Sequence, residues 1–327
     1  MKSFENITGN KSVIKFLKNS IKLQKISHAY IITGYEGCGK TLIAETFAKT
    51  ILCENNESTD ACCICKSCKT FESKNNPDVF YINNKNKSIG INEIKEQLIQ
   101  KVMIKPYIYE YKIFIIENAD EMTNEAQNSF LKTLEEPPKY AIFLLLSKNI
   151  NKLINTIKSR CIIIKINLLS SHEIKNYMIK NTNIPIEKIS LIAEYSEGSI
   201  GKALKISNSK EFINMREEIT NILINLSQKN DLYIFESINT IEKYKNEKYM
   251  IDIILLWYRD ILCLKILKNE KYIIQKDKKN IILKESYKYS IENLIKKCEY
   301  CILTKNQILK NGNFRLCMEI LFMNLKE

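Results

Sequence analysis

The chain has 327 residues, of which 45% are hydrophobic and 27% charged, so it can fill a core and is not disordered by composition. Only 8 Gly and 5 Pro occur, which excludes collagen-like and linker-dominated chains. The formal net charge of +13 favours contact with nucleic acid or an acidic partner, although lysines spread over helices are also an ordinary solvated surface.

The sequence predicts a cytoplasmic protein without membrane contact. The first ten residues lack the apolar segment of a secretion signal. The most apolar stretch, residues 251–267, is interrupted by Asp252, Arg259 and Asp260, which makes a bilayer span costly. Eleven cysteines in such a chain favour metal binding or buried thiols over disulfides.

Residues 1–165 alternate helical stretches with short runs rich in β-branched residues. Strands that alternate with helices indicate an α/β fold with a parallel sheet and crossover helices. Runs such as IFII and IFLLL lack polar alternation, which is typical of strands covered on both faces. The predicted strands are Ala29–Thr33, Val79–Ile82, Lys112–Glu117, Ala141–Ser147 and Ile162–Ile166.

The remainder of the chain is predicted to be helical. Residues 166–208 indicate short helices around Pro185, and residues 209–327 indicate long amphipathic helices. No proline follows Pro185 and only Gly312 follows Gly201, so the last third has almost no helix breakers. One predicted helix face carries Ile251, Ile254, Leu255, Tyr258 and Leu262.

Residues 34–41, GYEGCGKT, match the full G-x-x-x-x-G-K-[ST] phosphate loop between a predicted strand and a predicted helix. Backbone N–H groups of such a loop cradle phosphate oxygens, while its lysine reaches the outer phosphates and its threonine holds Mg²⁺. ATP or ADP with Mg²⁺ is therefore the expected ligand, and a retained loop that binds nucleotide weakly is the alternative. The predicted nucleotide-binding residues are Gly34, Gly37, Gly39, Lys40 and Thr41.

The acidic motif at the end of the third predicted strand is degraded. A P-loop ATPase needs one carboxylate to order Mg²⁺ and a group that orients the attacking water. Glu117 occupies the magnesium-side position, but the next residue is Asn118, which is neutral and cannot act as a general base. Loss of a general base is expected to cost on the order of 10²- to 10⁴-fold in rate. Asp120 is expected to lie off the strand.

Four cysteines are spaced as C-x₈-C-x₂-C-x₂-C, at Cys53, Cys62, Cys65 and Cys68. Two successive C-x₂-C steps place three thiolates on a tight turn, and the first cysteine can complete a tetrahedron. The spacing predicts a structural Zn²⁺ site, with a redox pair or unliganded thiols as alternatives. Cys63 is a fifth thiol that could replace a neighbouring ligand.

Taken together, these motifs resemble the clamp-loader branch of the AAA+ proteins. HAYIITGYEGCGKT precedes the four-cysteine insertion, and it is followed by KIFIIENADEMTNEAQNSFLKTLEEPP, by the triplet Ser159-Arg160-Cys161, and by GSIGKAL at 198–204. NSFLKTLEEPP and the SRC triplet are highly specific to bacterial clamp loaders.

The resemblance implies three domains. They are a P-loop (AAA+/RecA-like) domain over residues 1–165 with a zinc insertion at 53–68, a helical lid over 166–208, and an all-α collar for oligomerisation over 209–327.

The resemblance also implies roles for particular residues. In the family the SRC arginine, here Arg160, enters a neighbour's ATP site as an arginine finger, whereas pairing within its own domain is the alternative. Motor subunits carry Asp-Glu where Glu117 and Asn118 stand, and an arginine where Gly201 stands. These departures imply a non-motor subunit of DNA polymerase III with little ATPase activity of its own. The implied partners are the gamma/tau and delta subunits, with the sliding clamp and primer-template DNA contacted through the complex.

Two other functions stay open on the residues. The complete phosphate loop is compatible with an active motor ATPase of the gamma/tau type. A stand-alone nucleotide kinase is the third possibility. A kinase needs an arginine-rich acceptor site, however, and only Arg160 precedes residue 216 among the arginines.

Overall fold

The structure is a computed structural model that describes residues 3–55, 59–83, 88–226, 229–247 and 249–326. Residues 56–58 of the predicted zinc insertion therefore lie outside the described residues. The chain folds into two compact units. The first unit comprises Met1–Tyr177 and Gly198–Gly201, and the second comprises Met178–Glu197 and Lys202–Glu327.

The first unit contains a five-stranded sheet in the order β2-β3-β4-β1-β5, with all four pairings parallel. The predicted α/β class with a parallel sheet is confirmed. The third and fifth predicted strands each end one residue earlier than expected. The strands are β1 (Ala29–Thr33), β2 (Val79–Ile82), β3 (Lys112–Ile116), β4 (Ala141–Ser147) and β5 (Ile162–Lys165).

Helices surround this sheet and begin or end where the sequence provides a signal. Thr123 precedes the sixth helix, and its hydroxyl accepts a hydrogen bond from the Ala126 N–H. Pro137 and Pro138 follow the end of the same helix. The helices are α1 (Lys11–Lys22), α2 (Lys40–Ile51), α3 (Lys66–Glu72), α4 (Ile91–Ile94), α5 (Gln100–Val102), α6 (Asn124–Glu135) and α7 (Asn155–Lys158); the π-helical stretch Lys95–Ile99 joins α4 to α5.

Side chains of the central strands alternate between two cores. In β3, Phe114 and Ile116 belong to the cluster that includes Phe130 of α6, whereas Ile113 and Ile115 belong to the cluster on the α2 side. All residues of β1, β3 and β4 are buried, which explains why these strands lack polar alternation. The sheet is therefore rigidly held from both faces.

The second unit is helical, and no strand occurs among its described residues. Two helices, α8 (Ser171–Asn181) and α10 (Ile200–Ser207), each contain a point at which the chain passes from one unit to the other. The others are α9 (Ile186–Tyr195), α11 (Lys210–Leu226), α12 (Leu232–Ile241), α13 (Met250–Leu267), α14 (Lys279–Ser286), α15 (Ile291–Leu309) and α16 (Phe314–Lys326).

Helix α13 is buried over more of its circumference than the predicted stripe. Ile251, Ile254 and Tyr258 are buried as expected, and Leu255 and Leu262 are half-buried. Trp257, which is not part of the predicted stripe, is buried as well. Asp260, which interrupts the apolar stretch in the sequence, also lies inside the protein. Its carboxylate is fully buried and accepts hydrogen bonds from the backbone N–H groups of residues 274 and 275. A charge that breaks an apolar stretch here serves the packing of a neighbouring loop.

The three-domain division stays a prediction. The segment 166–208, predicted to form one lid, is shared between the two compact units. Within the described ranges, no helix combines the length and apolar character that a bilayer span requires.

Candidate functional site

The phosphate loop joins β1 to α2 at the carboxyl edge of the sheet. Gly37 and Gly39 have φ angles of 74° and 96°, in the left-handed region that glycine adopts most readily. A Cβ on Gly34 would lie 2.8 Å from the Ile166 carbonyl oxygen, so this position has no room for a side chain. Thr41 lies exposed in the first turn of α2. The structure therefore explains why glycine is needed at each of the three predicted positions.

Lys40 folds back over the loop. Its Nζ donates to the carbonyl oxygens of Gly34 at 2.6 Å and Tyr35 at 2.7 Å. Burial lowers the pKa of Lys40, because desolvation penalises the ammonium form. A bound phosphate would have to take over at least part of this ammonium from the two carbonyls.

The segment Gly198–Gly201 lies directly against this loop. The Ser199 hydroxyl donates to the Glu36 carbonyl at 3.3 Å, and the Gly201 N–H donates to the Gly37 carbonyl at 3.2 Å. A Cβ on Gly201 would lie 3.1 Å from the Gly37 Cα. Gly201, which stands where motor subunits are expected to carry an arginine, thus allows its own backbone to lie close to that of the phosphate loop.

Glu117 and the phosphate loop share one edge of the sheet, because β3 and β1 both pair in parallel with β4. The Glu117 Oε2 accepts a hydrogen bond from the Asn83 Nδ2 at 2.7 Å. Asn118 has a φ of 51°, a left-handed conformation that asparagine tolerates better than most residues. The carboxylate at 117 is therefore present, and the residue beside it is a neutral amide in a turn.

Asp120 lies in the 3₁₀ turn Ala119–Glu121, off the strand as expected. Its carboxylate is buried and accepts from the backbone N–H groups of Lys148 at 3.0 Å and Asn149 at 3.2 Å. These bonds tie the end of β3 to the end of β4. Asp120 therefore has a structural role and does not replace the missing base.

Arg160 lies just after α7 with 35% of its side chain exposed. Its Nη1 donates to the Thr156 carbonyl at 3.0 Å, and its Nη2 donates to the Glu135 carboxylate at 2.8 Å. The neighbouring Ser159 hydroxyl also donates to the Thr156 carbonyl, which fixes the turn. Cys161 packs against a core cluster, where burial raises its pKa to about 12. The arginine is thus half-buried, with its guanidinium reachable from the surface.

The four predicted cysteines converge at one point. The Sγ atoms of Cys53, Cys62, Cys65 and Cys68 all lie within 4.8 Å of one another. The Cys53–Cys68 and Cys62–Cys68 Sγ separations are 3.8 and 4.0 Å. Tetrahedral Zn²⁺ with Zn–S bonds of about 2.3 Å requires Sγ atoms about 3.8 Å apart, so the donor set fits zinc.

Backbone N–H groups surround these sulfur atoms. The N–H groups of Ile64 and Cys65 lower the pKa of Cys62 to about 6, whereas burial raises the pKa of Cys53 and Cys68. Since a metal binds the thiolate form, N–H groups aimed at the sulfur favour ligation.

Cys63 points away from this cluster. Its φ is 63°, and its Sγ accepts a hydrogen bond from the Lys49 Nζ at 3.2 Å. Lys49 is fully buried in α2 and also pairs with Glu72 at 2.8 Å. The fifth thiol therefore joins the cysteine segment to the helix of the phosphate loop and is not a member of the four-sulfur group.

The comparisons with known proteins agree with these features. A family model described as "DNA polymerase III, delta subunit" matches residues 9–170, which include the phosphate loop, the four cysteines and Arg160. Subunit delta' of DNA polymerase III from Bacillus subtilis is 29% identical over 96% of this chain and 95% of its own length. Subunit gamma/tau from Mycoplasma genitalium is 30% identical over 99% of this chain. The chain belongs to the clamp-loader subunits of DNA polymerase III.

This clamp-loader subunit spans only part of several of its gamma and tau relatives. The match covers 56% of the Mycoplasma genitalium subunit, and it covers 33% of the tau/gamma subunit from Haemophilus influenzae, which is 31% identical. Agreement over nearly the whole of both proteins is found with the delta' subunit, and also with a gamma subunit from Buchnera aphidicola that is 27% identical over 99% of this chain and 90% of its own length.

Several residues of the clamp-loader subunit's site carry no sequence motif that points to them. Lys148 follows β4, and its Nζ lies 3.7 Å from the Glu36 carboxylate in the phosphate loop. Asn83 follows β2, and its side-chain amide donates a hydrogen bond to Glu117. The only signal for Lys148 and Asn83 is that each directly follows a strand, at the edge where P-loop proteins place their sites.

We expect the substitution Gly201→Ala to lower the melting temperature and weaken nucleotide binding. The added Cβ would lie 3.1 Å from the Gly37 Cα, so the loop backbone must shift even though alanine favours the helix by about 1 kcal/mol. Thermal unfolding and binding of a fluorescent ATP analogue measure both effects. Lys205→Ala is the control, since Lys205 is an exposed residue of the same helix. Equal melting temperatures for the two variants would contradict the close-approach argument.

Proposed function

We propose that this clamp-loader subunit is a delta-prime-type stator, which lends Arg160 to the ATP site of a neighbouring gamma/tau subunit and hydrolyses little ATP itself. The observation that carries the proposal is a partly exposed guanidinium in a chain whose own acidic motif ends in Asn118. A planar, permanently charged guanidinium suits a triphosphate better than an ammonium does. The full-length match to a delta' subunit supports the same assignment.

The chain's own loop supports a weak nucleotide site. We assign the binding of ATP or ADP with Mg²⁺ to Gly34, Gly37, Gly39, Lys40 and Thr41, and Glu117 lies at the same sheet edge. The Lys40 ammonium already donates to two loop carbonyls, however. The side-chain amide of Asn118, next to Glu117, cannot accept a proton from water. Binding without efficient hydrolysis is the consequence that we propose.

Exposed apolar stripes support assembly through the helical unit. On α15, residues four and seven apart are exposed, and α16 repeats the pattern. Such rows on a single helix face are typical of surfaces that pack against a partner helix. We assign them to a collar shared with the gamma/tau and delta subunits, through which the chain acts on the sliding clamp and primer-template DNA. The residues are Ile291, Ile295, Ile302, Leu309, Leu316, Ile320 and Met323.

An active gamma/tau-type motor is the second candidate. It is favoured by the complete phosphate loop and by the match over 99% of this chain to the Mycoplasma genitalium gamma/tau subunit. The motor requires hydrolysis by the isolated chain, whereas the stator does not.

The four clustered cysteines are proposed to hold one structural Zn²⁺ ion. All four ligands come from protein, which leaves no open position for substrate. When bound, the ion would hold the segment after α2 against the start of α3. The cysteines supply the thiolates, and the backbone N–H groups around them stabilise the charge.

Arg160→Ala in the reconstituted clamp loader should abolish most hydrolysis at the neighbouring site. The assay uses a complex whose other ATPase sites are inactivated by a phosphate-loop Lys→Ala change, so that one site reports. DNA-dependent ATPase activity should fall about 10³-fold or more, the usual contribution of an arginine finger. Arg160→Lys keeps the charge but loses the planar fork and should recover little. Lys158→Ala, on the same turn, is the control, and an unchanged rate with Arg160→Ala would rule the stator role out.

The purified chain alone should hydrolyse ATP far more slowly than about 1 s⁻¹, at the low end of enzyme turnover. The reason is the neutral Asn118 where a general base is needed. Steady-state ATPase with and without DNA measures this, with Lys40→Ala as the background control. Turnover near 1 s⁻¹ that Lys40→Ala removes would favour the motor.

Native mass spectrometry should find about one zinc per chain. Cys65→Ser should lose the metal and lower the melting temperature, because it removes one of the four converging sulfur atoms. Cys63→Ser should keep the metal, because its sulfur contacts Lys49 instead. Equal zinc content in both variants would contradict the four-ligand assignment.

A further inference from the structure

The side chain of Arg160 is held by a carboxylate from another element. Glu135, the last residue of α6, accepts from Nη2 at 2.8 Å, while Nη1 donates to the Thr156 carbonyl of α7 and to the Ser159 hydroxyl. The two partners on different helices fix the orientation of the guanidinium plane. Half of the Glu135 side chain is exposed, so the pair lies at the surface.

Stability does not explain this pair. Exposed ion pairs contribute little to the free energy of unfolding. Glu135 also stands at the carboxyl end of α6, where the helix dipole disfavours a negative charge, and Glu136 follows it. Two carboxylates at this end are locally unfavourable, so the position calls for a role outside helix formation.

The pair leaves part of the guanidinium available. Arginine has five N–H donors in a rigid fork, and three of the hydrogen bonds that they can make are formed here. Among the residues that the structure describes, no acceptor contacts the other two N–H groups, which are left for an external acceptor. If the arginine side chain were not already held, it would lose conformational entropy when the acceptor binds, and this loss would weaken the interaction.

We propose that Glu135 is a positioning residue for Arg160, which holds the guanidinium in one orientation so that its remaining N–H groups meet a triphosphate on a neighbouring subunit. This inference rests on the proposed stator function. The carboxylate stays paired with Nη2 while the phosphate is engaged, and no bond to the reacting atoms involves Glu135.

The test measures kcat and KM at the single reporting site of the reconstituted clamp loader. Glu135→Ala should lower kcat about 3- to 10-fold with little change in KM for ATP, the loss expected when one long side chain is no longer preorganised. Glu135→Gln keeps an oxygen acceptor and should recover part of the loss. Glu136→Gln is the matched control, since Glu136 lies beside it at the same helix end, and it should leave kcat unchanged. In an Arg160→Ala background, Glu135→Ala should cause no further loss.

The outcomes separate the two proposals. If Arg160→Ala lowers the rate and Glu135→Ala does not, or raises it, the positioning role is wrong and the stator stands. If Arg160→Ala has no effect, the stator and the positioning role both fail. A loss in Glu135→Ala that persists in the Arg160→Ala background, or that comes with a melting temperature well below that of Glu136→Gln, would mark a structural defect and overturn the inference.

Discussion

Parallel pairing of β3, β4 and β1 is the constraint on which the rest of the site depends. Because these strands run in the same direction, the chain leaves all three of them at one edge. The residue that follows each strand is the first of the phosphate loop after β1, Glu117 after β3 and Lys148 after β4. Two apolar cores hold the strands from opposite faces, so the positions of these polar groups are set by packing and not by their own interactions.

Charged groups at this edge have hydrogen-bond partners within the chain. The Lys40 ammonium is satisfied by loop carbonyls, Glu117 by an amide, and Asp120 by two backbone N–H groups. The backbone of Gly201 lies close to the loop, so a side chain at this position would require the Gly37 backbone to shift. Arg160 is also paired within the chain, through Glu135, but its guanidinium lies partly exposed at the surface. This arrangement agrees with the proposed stator function, in which the subunit would complete a neighbour's site more than its own.

Much of this could be predicted from sequence, because the signals are local. The strands are continuous apolar runs since both faces are covered, and the phosphate loop and the four cysteines are short motifs whose spacing alone brings the atoms together. The contact between Glu135 and Arg160 could not be predicted, since the two residues are 25 positions apart and β4 and α7 lie between them. The direction of the Cys63 side chain depends on a left-handed backbone angle that no motif specifies. The division into compact units is equally hidden, because the chain crosses between them within α8 and α10, where the helical pattern continues unbroken.

Lys49 links two parts of the molecule that the motifs treat as separate. Lys49 is a fully buried residue of α2, the helix that starts at the phosphate loop. Its partners Cys63 and Glu72 belong to the cysteine segment and to α3, which follows it. Under the proposed zinc ligation, the bound ion would help to hold both partners in place around this buried charge. Metal supply during biosynthesis would thereby bear on the packing beneath the phosphate loop, even though the ion takes no part in the chemistry.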